Sequence, residues 1–237
     1  MLKEAIEKIV SLAGNQIYTI GNDTYSDHSL VRIEPHVDRP RSIEVSSLDS
    51  VVRLVRAEIG HSCAHQPVFV QVKTPTAVVV FTTLDKVCGR NTLYVANSDV
   101  PAFRDGWRSQ DSAIIELRSR FIENEGTAYL LNLLSRIVKE DRVASEDNGV
   151  SQQVTARTGI ALNERVSVKP RVRLRPYRTF LEVEQPESEF LLRLNEEGKV
   201  GLFEADGGMW GLEAKKNIAE YLKVALTDLD EKVVVME

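Results

Sequence analysis

Two histidines and a cysteine lie close together in the first third of the chain, and their side chains have the chemistry of metal ligands. His61, Cys63 and His65 alternate along a segment predicted to be a loop, and Cys88 is the only other cysteine. Two imidazoles and two thiolates would make a reasonable zinc site. Paired zinc ligands are usually about two to four residues apart. The closer spacing here instead favours a surface loop in which Cys63 packs as a small apolar side chain.

The same residues make a poor catalytic pair, because His61 and His65 are too near Cys63 in sequence to be oriented as its base. The chain contains no phosphate-binding glycine loop, no dinucleotide fingerprint and no nucleophile elbow. Its closest glycine-rich segment is Ala205–Trp210, which is predicted to be a turn between a strand and a helix with Trp210 in the core. We therefore expect neither enzymatic activity nor a cofactor.

A basic segment in the C-terminal third is the best candidate for a nucleic-acid contact or a subunit interface. Arg171, Arg173 and Arg175 share one face if the segment is a strand. Tyr177, which follows them, has a ring that would stack on a base. The complete set of candidate residues is Lys169, Arg171, Arg173, Arg175, Tyr177 and Arg178.

The glutamates that follow this segment offer a second interpretation, in which the arginines are paired within the chain. If the chain turns after Tyr177, then Arg173 faces Glu182 and Arg171 faces Glu184 across an antiparallel pair. If the strand continues instead, the arginine face remains free for a partner. We favour ion pairing or a subunit interface over nucleic acid.

Composition and charge set broad limits on the function. The 237 residues include 30 Lys and Arg against 35 Asp and Glu, a formal net charge of -5, so no overall basic character indicates nucleic-acid binding. No apolar run approaches the roughly 20 residues of a membrane helix, and the N-terminus does not resemble a secretory signal. Two cysteines cannot make a disulfide framework. These features favour a cytoplasmic protein without a membrane partner.

The spacing of apolar residues predicts an α+β fold. Met1–Ala13 has the period of an amphipathic helix, Ser47 is placed to cap a second helix, and Val68–Val72 with Ala77–Thr82 is a hairpin pattern. The predicted organisation is an N-terminal amphipathic helix and linker (1–24), a small α/β unit (25–104), a central helical hairpin (105–145) and a C-terminal antiparallel β unit closed by a helix (146–237).

Several short phrases of the sequence are similar to a known family. They are Tyr25-Ser26, Ser47–Val52, Ser119–Phe121, Asp147–Gln152, Pro176–Phe180, Glu184–Phe190 and Leu202–Gly208. Together they resemble the YfdQ-like family of uncharacterised phage and prophage proteins over residues 25 to 226. The resemblance implies a phage early-region protein encoded near recombination or replication functions. It carries over no catalytic residues, and the residues of the suspected zinc site belong to none of its motifs.

These observations lead to three hypotheses, all of them for a protein that acts by binding. The first is a non-enzymatic phage or prophage accessory protein that works as a homo-oligomer in the cytoplasm of the bacterial host, with the N-terminal helix and the Arg/Glu strands as contact surfaces. The second is a nucleic-acid-binding helper of phage recombination or replication that uses the arginine segment. The third is an inhibitor of a host defence system, bound to a host protein or a nucleotide.

Overall fold

Helices and strands are distributed along the whole chain in the computed structural model, which describes residues 2–13, 17–26, 32–33, 40–60, 67–85, 88–136, 144–147, 152–158, 162–195 and 197–237. The helices are α1 (Leu2–Ala13), α2 (Leu48–Leu54), α3 (Gln110–Arg120), α4 (Glu125–Arg136) and α5 (Met209–Ala225). The strands are β1 (Ile17–Ile20), β2 (Asp23–Ser26), β3 (Arg32–Ile33), β4 (Ile43–Val45), β5 (Val68–Thr74), β6 (Ala77–Thr82), β7 (Thr92–Asn97), β8 (Gly106–Arg108), β9 (Phe121–Ile122), β10 (Ala144–Asp147), β11 (Gln152–Thr158), β12 (Leu162–Val168), β13 (Arg171–Pro176), β14 (Ser188–Leu194), β15 (Val200–Glu204) and β16 (Val233–Met236).

The chain divides into an N-terminal unit, Met1–Pro40, and a larger unit, Arg41–Glu237. The N-terminal unit contains α1 and a three-stranded antiparallel sheet in the order β1-β2-β3. The larger unit contains all the other elements. Both buried hydrophobic clusters of the described residues also belong to it: the first core, which includes Val70 and Val80, and the second core, which includes Leu174 and Phe190.

The first sheet of the larger unit is mixed, with the strand order β16-β5-β6-β7-β4. Strands β5, β6 and β7 form an antiparallel meander, which confirms the predicted hairpin, while β16 runs parallel to β5 and β4 parallel to β7. Val68, Val70 and Val72 of β5 are buried and alternate with less buried neighbours. This period of two places one face of the sheet in the core.

Two helices cover that buried face. Ser47 caps α2, as predicted. Its side chain accepts a hydrogen bond from Ser50 N at 3.2 Å. Leu48 and Val51 of α2 pack into the first core, and a π-helical turn, Val55–Gly60, extends the helix. The second helix, α5, buries Ala214, Ile218, Ala219 and Leu222 in the same core.

The second sheet is antiparallel, with the strand order β8-β15-β14-β13-β9. Val172 and Leu174 of β13 and Phe190 and Leu192 of β14 point to the same side and are buried. Helices α3 and α4 pack on that side through residues that include Leu117, Leu130 and Leu134. The segment predicted as a helical hairpin (105–145) therefore contains α3 and α4 together with β8 and β9, the two edge strands of the second sheet.

The C-terminal helix lies elsewhere than the sequence pattern suggested. We expected it to close the antiparallel unit, but α5 packs on the first sheet and β16 then pairs with β5. The short connection Leu226–Lys232 allows this, because it returns the chain directly from the end of α5 to the edge of β5, where Val68 N donates to Lys232 O at 2.9 Å.

The α+β class predicted from the sequence is confirmed by these helices and by the mainly antiparallel sheets. A further antiparallel sheet, β10-β11-β12, leads through Val168 into the second core. Among the described helices, none has both the length and the apolar composition that a membrane-spanning segment requires.

Candidate binding surfaces

The predicted arginine stripe lies on the solvent-facing side of β13. Because Val172 and Leu174 point into the second core, the alternating residues Arg171 and Arg173 point outwards and are exposed. Arg175, at the end of the strand, is partly covered. The structure thus brings these three arginines together on one face, as the period of two suggested.

The arginines are paired with glutamates, but not with those predicted. Arg171 Nη1 lies 2.9 Å from Glu189 Oε2, and Arg175 Nη1 lies 3.1 Å from Glu184 Oε1. Arg173 Nη1 lies 3.9 Å from Glu187 Oε2. The predicted pairs of Arg173 with Glu182 and of Arg171 with Glu184 are wrong.

The reason is the width of the turn. Residues 177–187 form a loop, so the strand that returns beside β13 begins at Ser188, and the register places Arg173 opposite Glu189. Glu182 serves another purpose: its Oε1 accepts hydrogen bonds from Leu48 N at 2.7 Å and from Asp49 N at 3.4 Å, at the first turn of α2. We call residues 177–187 the connecting loop.

Arg178 is buried in the connecting loop and is not part of the exposed stripe. Only 3% of the residue is exposed. Its guanidinium donates hydrogen bonds to Glu204 and to the hydroxyl of Ser188, and it lies 4.1 Å from the centroid of the Trp210 ring. The residue therefore holds the connecting loop against β14, β15 and the start of α5, and a large partner cannot reach it.

The electrostatics around Arg178 are those of a compact buried network. Burial lowers the pKa of Arg178, while the ion pair with Glu204 opposes that change. Burial would raise the pKa of Asp206, but hydrogen bonds from Ser188 Oγ, from Gly208 N at 2.9 Å and from Trp210 N at 3.3 Å bring its pKa below the usual value. The hydrogen bonds thus favour the charged carboxylate of Asp206, and the ion pair with Glu204 favours the charged guanidinium of Arg178.

Gln185 fixes the shape of the connecting loop from inside. Its side-chain oxygen accepts hydrogen bonds from Arg178 N at 3.0 Å and Thr179 N at 3.2 Å, and its amide nitrogen donates to Phe180 O at 2.9 Å. Phe180 and Val183 are buried in the first core. The loop that leaves the second sheet therefore contributes to the core of the first sheet.

Lys169 borders a hollow of about 400 Å³ beside the edge of β13. Its backbone N–H donates to Tyr129 Oη at 2.9 Å, and its ammonium lies 5.1 Å from the centre of the Tyr129 ring. Helix α4 approaches the strand closely here, since a Cβ on Gly126 would lie 2.0 Å from Arg173 O. Arg171, Arg173 and Glu187 are also among the residues that line this hollow.

An aromatic pair occupies the same outer side of the second sheet, and sequence reasoning missed it. The rings of Trp107 and Phe203 meet edge to face at 5.7 Å between centroids, and 48% of Trp107 is exposed. Both rings lie over Gly201, where a Cβ would come within 2.6 Å of the Phe203 ring. Arg193 is opposite Gly201 in the register. The alternation of Gly201 with Phe203 in β15 was the signal available in the sequence.

A larger cleft of about 860 Å³ opens where β4 and β7 end. Residues from four segments of the larger unit line it: Ser46, Ser47, Ser98, Asp99, Val100, Pro101, Ser119, Arg120, Tyr177, Leu181 and Glu182. Tyr177, predicted as a nucleic-acid contact, is on this cleft rather than on the outer face of β13. Its backbone N–H donates to Arg120 O at 2.9 Å.

The residues of the suspected zinc site cannot be assembled from the structure, because His61, Cys63 and His65 lie outside the described residues. Cys88 is described, and it is an exposed free thiol with a positive φ of 60° in a tight turn. Its N–H donates to Asp85 O at 3.0 Å. Within the described ranges, no group of three His, Cys, Asp or Glu side chains is arranged to hold a metal.

The N-terminal unit exposes large apolar side chains on both its helix and its sheet. Leu2 is 79% exposed and Ile20 is 66% exposed, and Ile6 and Ile17 are more than half exposed. Leu2 and Ile6 are one helical turn apart and share one face of α1. Exposed apolar side chains grouped in this way are characteristic of contact surfaces.

Comparisons of the chain with protein-family models, with curated proteins and with solved structures found no match.

Proposed function

We propose that this is a non-enzymatic binding protein that assembles with copies of itself through the N-terminal unit. The resemblance to the YfdQ-like family supports its assignment as a phage or prophage accessory protein, acting in the cytoplasm of the bacterial host. The observation that carries the self-assembly is the exposure of Leu2, Ile6, Ile17 and Ile20 in a unit of forty residues. Covering such side chains is favourable by about 25 cal/mol per Å² of apolar area.

A second copy of the same unit is the partner that α1 fits best. Its apolar residues recur at helical spacing on one side, and its charged residues are Lys3, Glu4, Glu7 and Lys8. Two positive and two negative charges leave the helix neutral, so two copies meet without net repulsion. An amphipathic helix with balanced charges is suited to pack against its own copy in a symmetric interface.

The double substitution Leu2→Glu with Ile6→Glu tests this proposal. We expect the unaltered protein to be an oligomer, with a native mass at least twice its chain mass of 26.6 kDa. The variant is expected to be monomeric at the same concentration, because two carboxylates would have to be buried in the interface. Light scattering coupled to size exclusion measures both masses.

The matched control is Lys3→Glu, which makes the same change of two charge units at an exposed position on the polar side of α1. It is expected to keep the oligomer. A monomeric unaltered protein would overturn the proposal. Dissociation of the control as well would show that charge, and not the apolar face, governs the assembly.

A second candidate function is binding of single-stranded nucleic acid on the outer side of the second sheet. The specific observation is the Trp107–Phe203 pair, of which Trp107 is exposed, on the same side as Arg171, Arg173 and Arg193. Aromatic rings interleaved with arginines are typical of such sites. The pairing of Arg171 with Glu189 reduces the positive charge there, which is why this function ranks second.

The substitution Trp107→Ala tests this second function. If the sheet binds a labelled oligothymidylate, loss of the ring is expected to weaken binding by about 1–3 kcal/mol, and binding should weaken steeply with added salt. The control is Ile115→Ala, an exposed apolar residue on α3, which covers the opposite side of the sheet. Equal affinities of the two variants, or binding indifferent to salt, would contradict this function.

A further inference from the structure

The cleft at the ends of β4 and β7 has the dimensions of a small-molecule site. Its volume of about 860 Å³ falls within the range of about 300–1,000 Å³ that is usual for ligand pockets. Neither self-assembly through the N-terminal unit nor the outer side of the second sheet makes use of it.

The position of the cleft in the fold is also one that favours ligands. β4 and β7 are parallel neighbours, with Val45 opposite Ala96, and both strands end at the cleft. Ser46 follows β4 directly and Ser98 follows β7 directly. In open sheets, ligands are commonly bound just beyond the carboxyl ends of parallel strands, where the loops leave a crevice.

One wall of the cleft is apolar and suits a flat ring. Leu181 is 67% exposed, although Phe180 directly before it in the connecting loop is buried. The ring of Tyr177 is partly exposed near it, and Val100 and Pro101 complete the apolar lining. Aromatic and aliphatic surfaces of this kind stack against a heterocycle.

The charged residues that line the cleft are Asp99, Arg120 and Glu182. Arg120 is the one cation among the described residues of the cleft, and its Nη1 lies 3.9 Å from Oε1 of Glu116. The side chain of Arg120 is 53% exposed, and at this distance its ion pair with Glu116 is a loose one. Glu182 already accepts hydrogen bonds from α2, whereas Asp99 is an exposed carboxylate on the rim.

We propose that the cleft binds a nucleoside monophosphate. The base lies against Leu181 and Tyr177, the phosphate accepts hydrogen bonds from Arg120, and the ribose hydroxyls donate to Asp99. Guanidinium and phosphate form strong charge-assisted hydrogen bonds. One guanidinium can pair with one phosphate group, whereas the further charges of a triphosphate would lie uncompensated beside Asp99 and Glu182.

The test is a calorimetric titration of the full chain with adenosine monophosphate, compared with inorganic phosphate and adenosine triphosphate. We expect saturable binding of the monophosphate at a ratio of one per chain, and weaker binding of the other two. Arg120→Gln is expected to weaken binding of the monophosphate by about tenfold or more, as loss of a charged hydrogen-bonding group does. Tyr177→Ala should also weaken it, and Tyr177→Phe, which keeps the ring, should not.

The control for Arg120→Gln is Arg118→Gln, which removes a charge two residues earlier on α3, at an exposed position outside the cleft lining. Both variants are expected to keep the melting temperature of the unaltered protein, since both side chains are exposed. Absence of saturable binding by the unaltered protein would overturn the proposal. So would equal effects of the two arginine variants, or binding of inorganic phosphate as tight as that of the nucleotide.

Discussion

Replacing Arg178 by methionine is expected to destabilise the protein by about 3–5 kcal/mol, the usual cost of removing one partner from a buried ion pair. The residue is 3% exposed, and its guanidinium is hydrogen-bonded to Glu204 and Ser188 beneath the ring of Trp210. Without it, Glu204 and Asp206 would share a half-buried site with no counter-charge. In a chain of this length the loss corresponds to a fall in melting temperature of roughly 6–20 °C.

The control is Arg175→Met, three residues earlier in the same sequence. Arg175 also contacts two glutamates, Glu184 and Glu187, but its side chain is 37% exposed, against 3% for Arg178, so water reaches these ion pairs. Exposed ion pairs contribute about 0–1 kcal/mol. Thermal unfolding should be followed by far-ultraviolet circular dichroism, because the fluorescence of Trp210 would respond to the substitution itself. Equal melting temperatures of the two variants would contradict a structural role for the buried network.

Local patterns in the sequence predicted the elements well, because their causes are local. The hairpin of β5 and β6 follows from two runs of β-branched residues around Pro75, and the start of α2 follows from a serine before an apolar helix. The α+β class follows from the spacing of apolar residues, which is helical in some segments and alternating in others. The partner of each buried face, in contrast, depends on contacts between residues distant in sequence. Nothing in the apolar stripe of α5 indicates which of two sheets it will cover.

The candidate site shows the same limit at the level of single residues. Arg178 continues the basic run of Arg171, Arg173 and Arg175 in the sequence, yet it is buried while they are not. β13 ends at Pro176, and beyond that residue the period of two no longer applies. The network that receives Arg178 is built from side chains 10 to 32 positions further on, such as Ser188 and Trp210.

The glutamate partners illustrate how one assumed turn decides a register. A tight turn after Tyr177 would have paired Arg173 with Glu182, whereas the observed loop moves the returning strand to Ser188. The loop is wide because Phe180 and Val183 leave the second sheet to enter the first core. That apolar burial, which involves residues more than 80 positions away, was not visible in the charge pattern.

Replacing Phe180 by alanine should show how much that burial contributes. The residue is 1% exposed and packs in the first core, although the loop that carries it belongs to the second sheet. Removal of a buried phenylalanine ring costs about 3–5 kcal/mol, from lost apolar contact and from the cavity that remains. The urea midpoint should fall, with an unchanged slope if the unfolding remains a single transition.

The adjacent residue provides the control, since Leu181→Ala removes an apolar side chain that is 67% exposed and should change stability by no more than about 0.5 kcal/mol. A large difference between the free energies of unfolding of the two variants would show that the buried ring of Phe180, and not the loop backbone, provides the stabilisation. Hydrogen exchange gives an independent measurement, because the cavity left by Phe180 adjoins the first core. Exchange should quicken in β5, β6 and β7. If Phe180→Ala and Leu181→Ala lower the free energy of unfolding by the same amount, the connecting loop does not stabilise the first sheet.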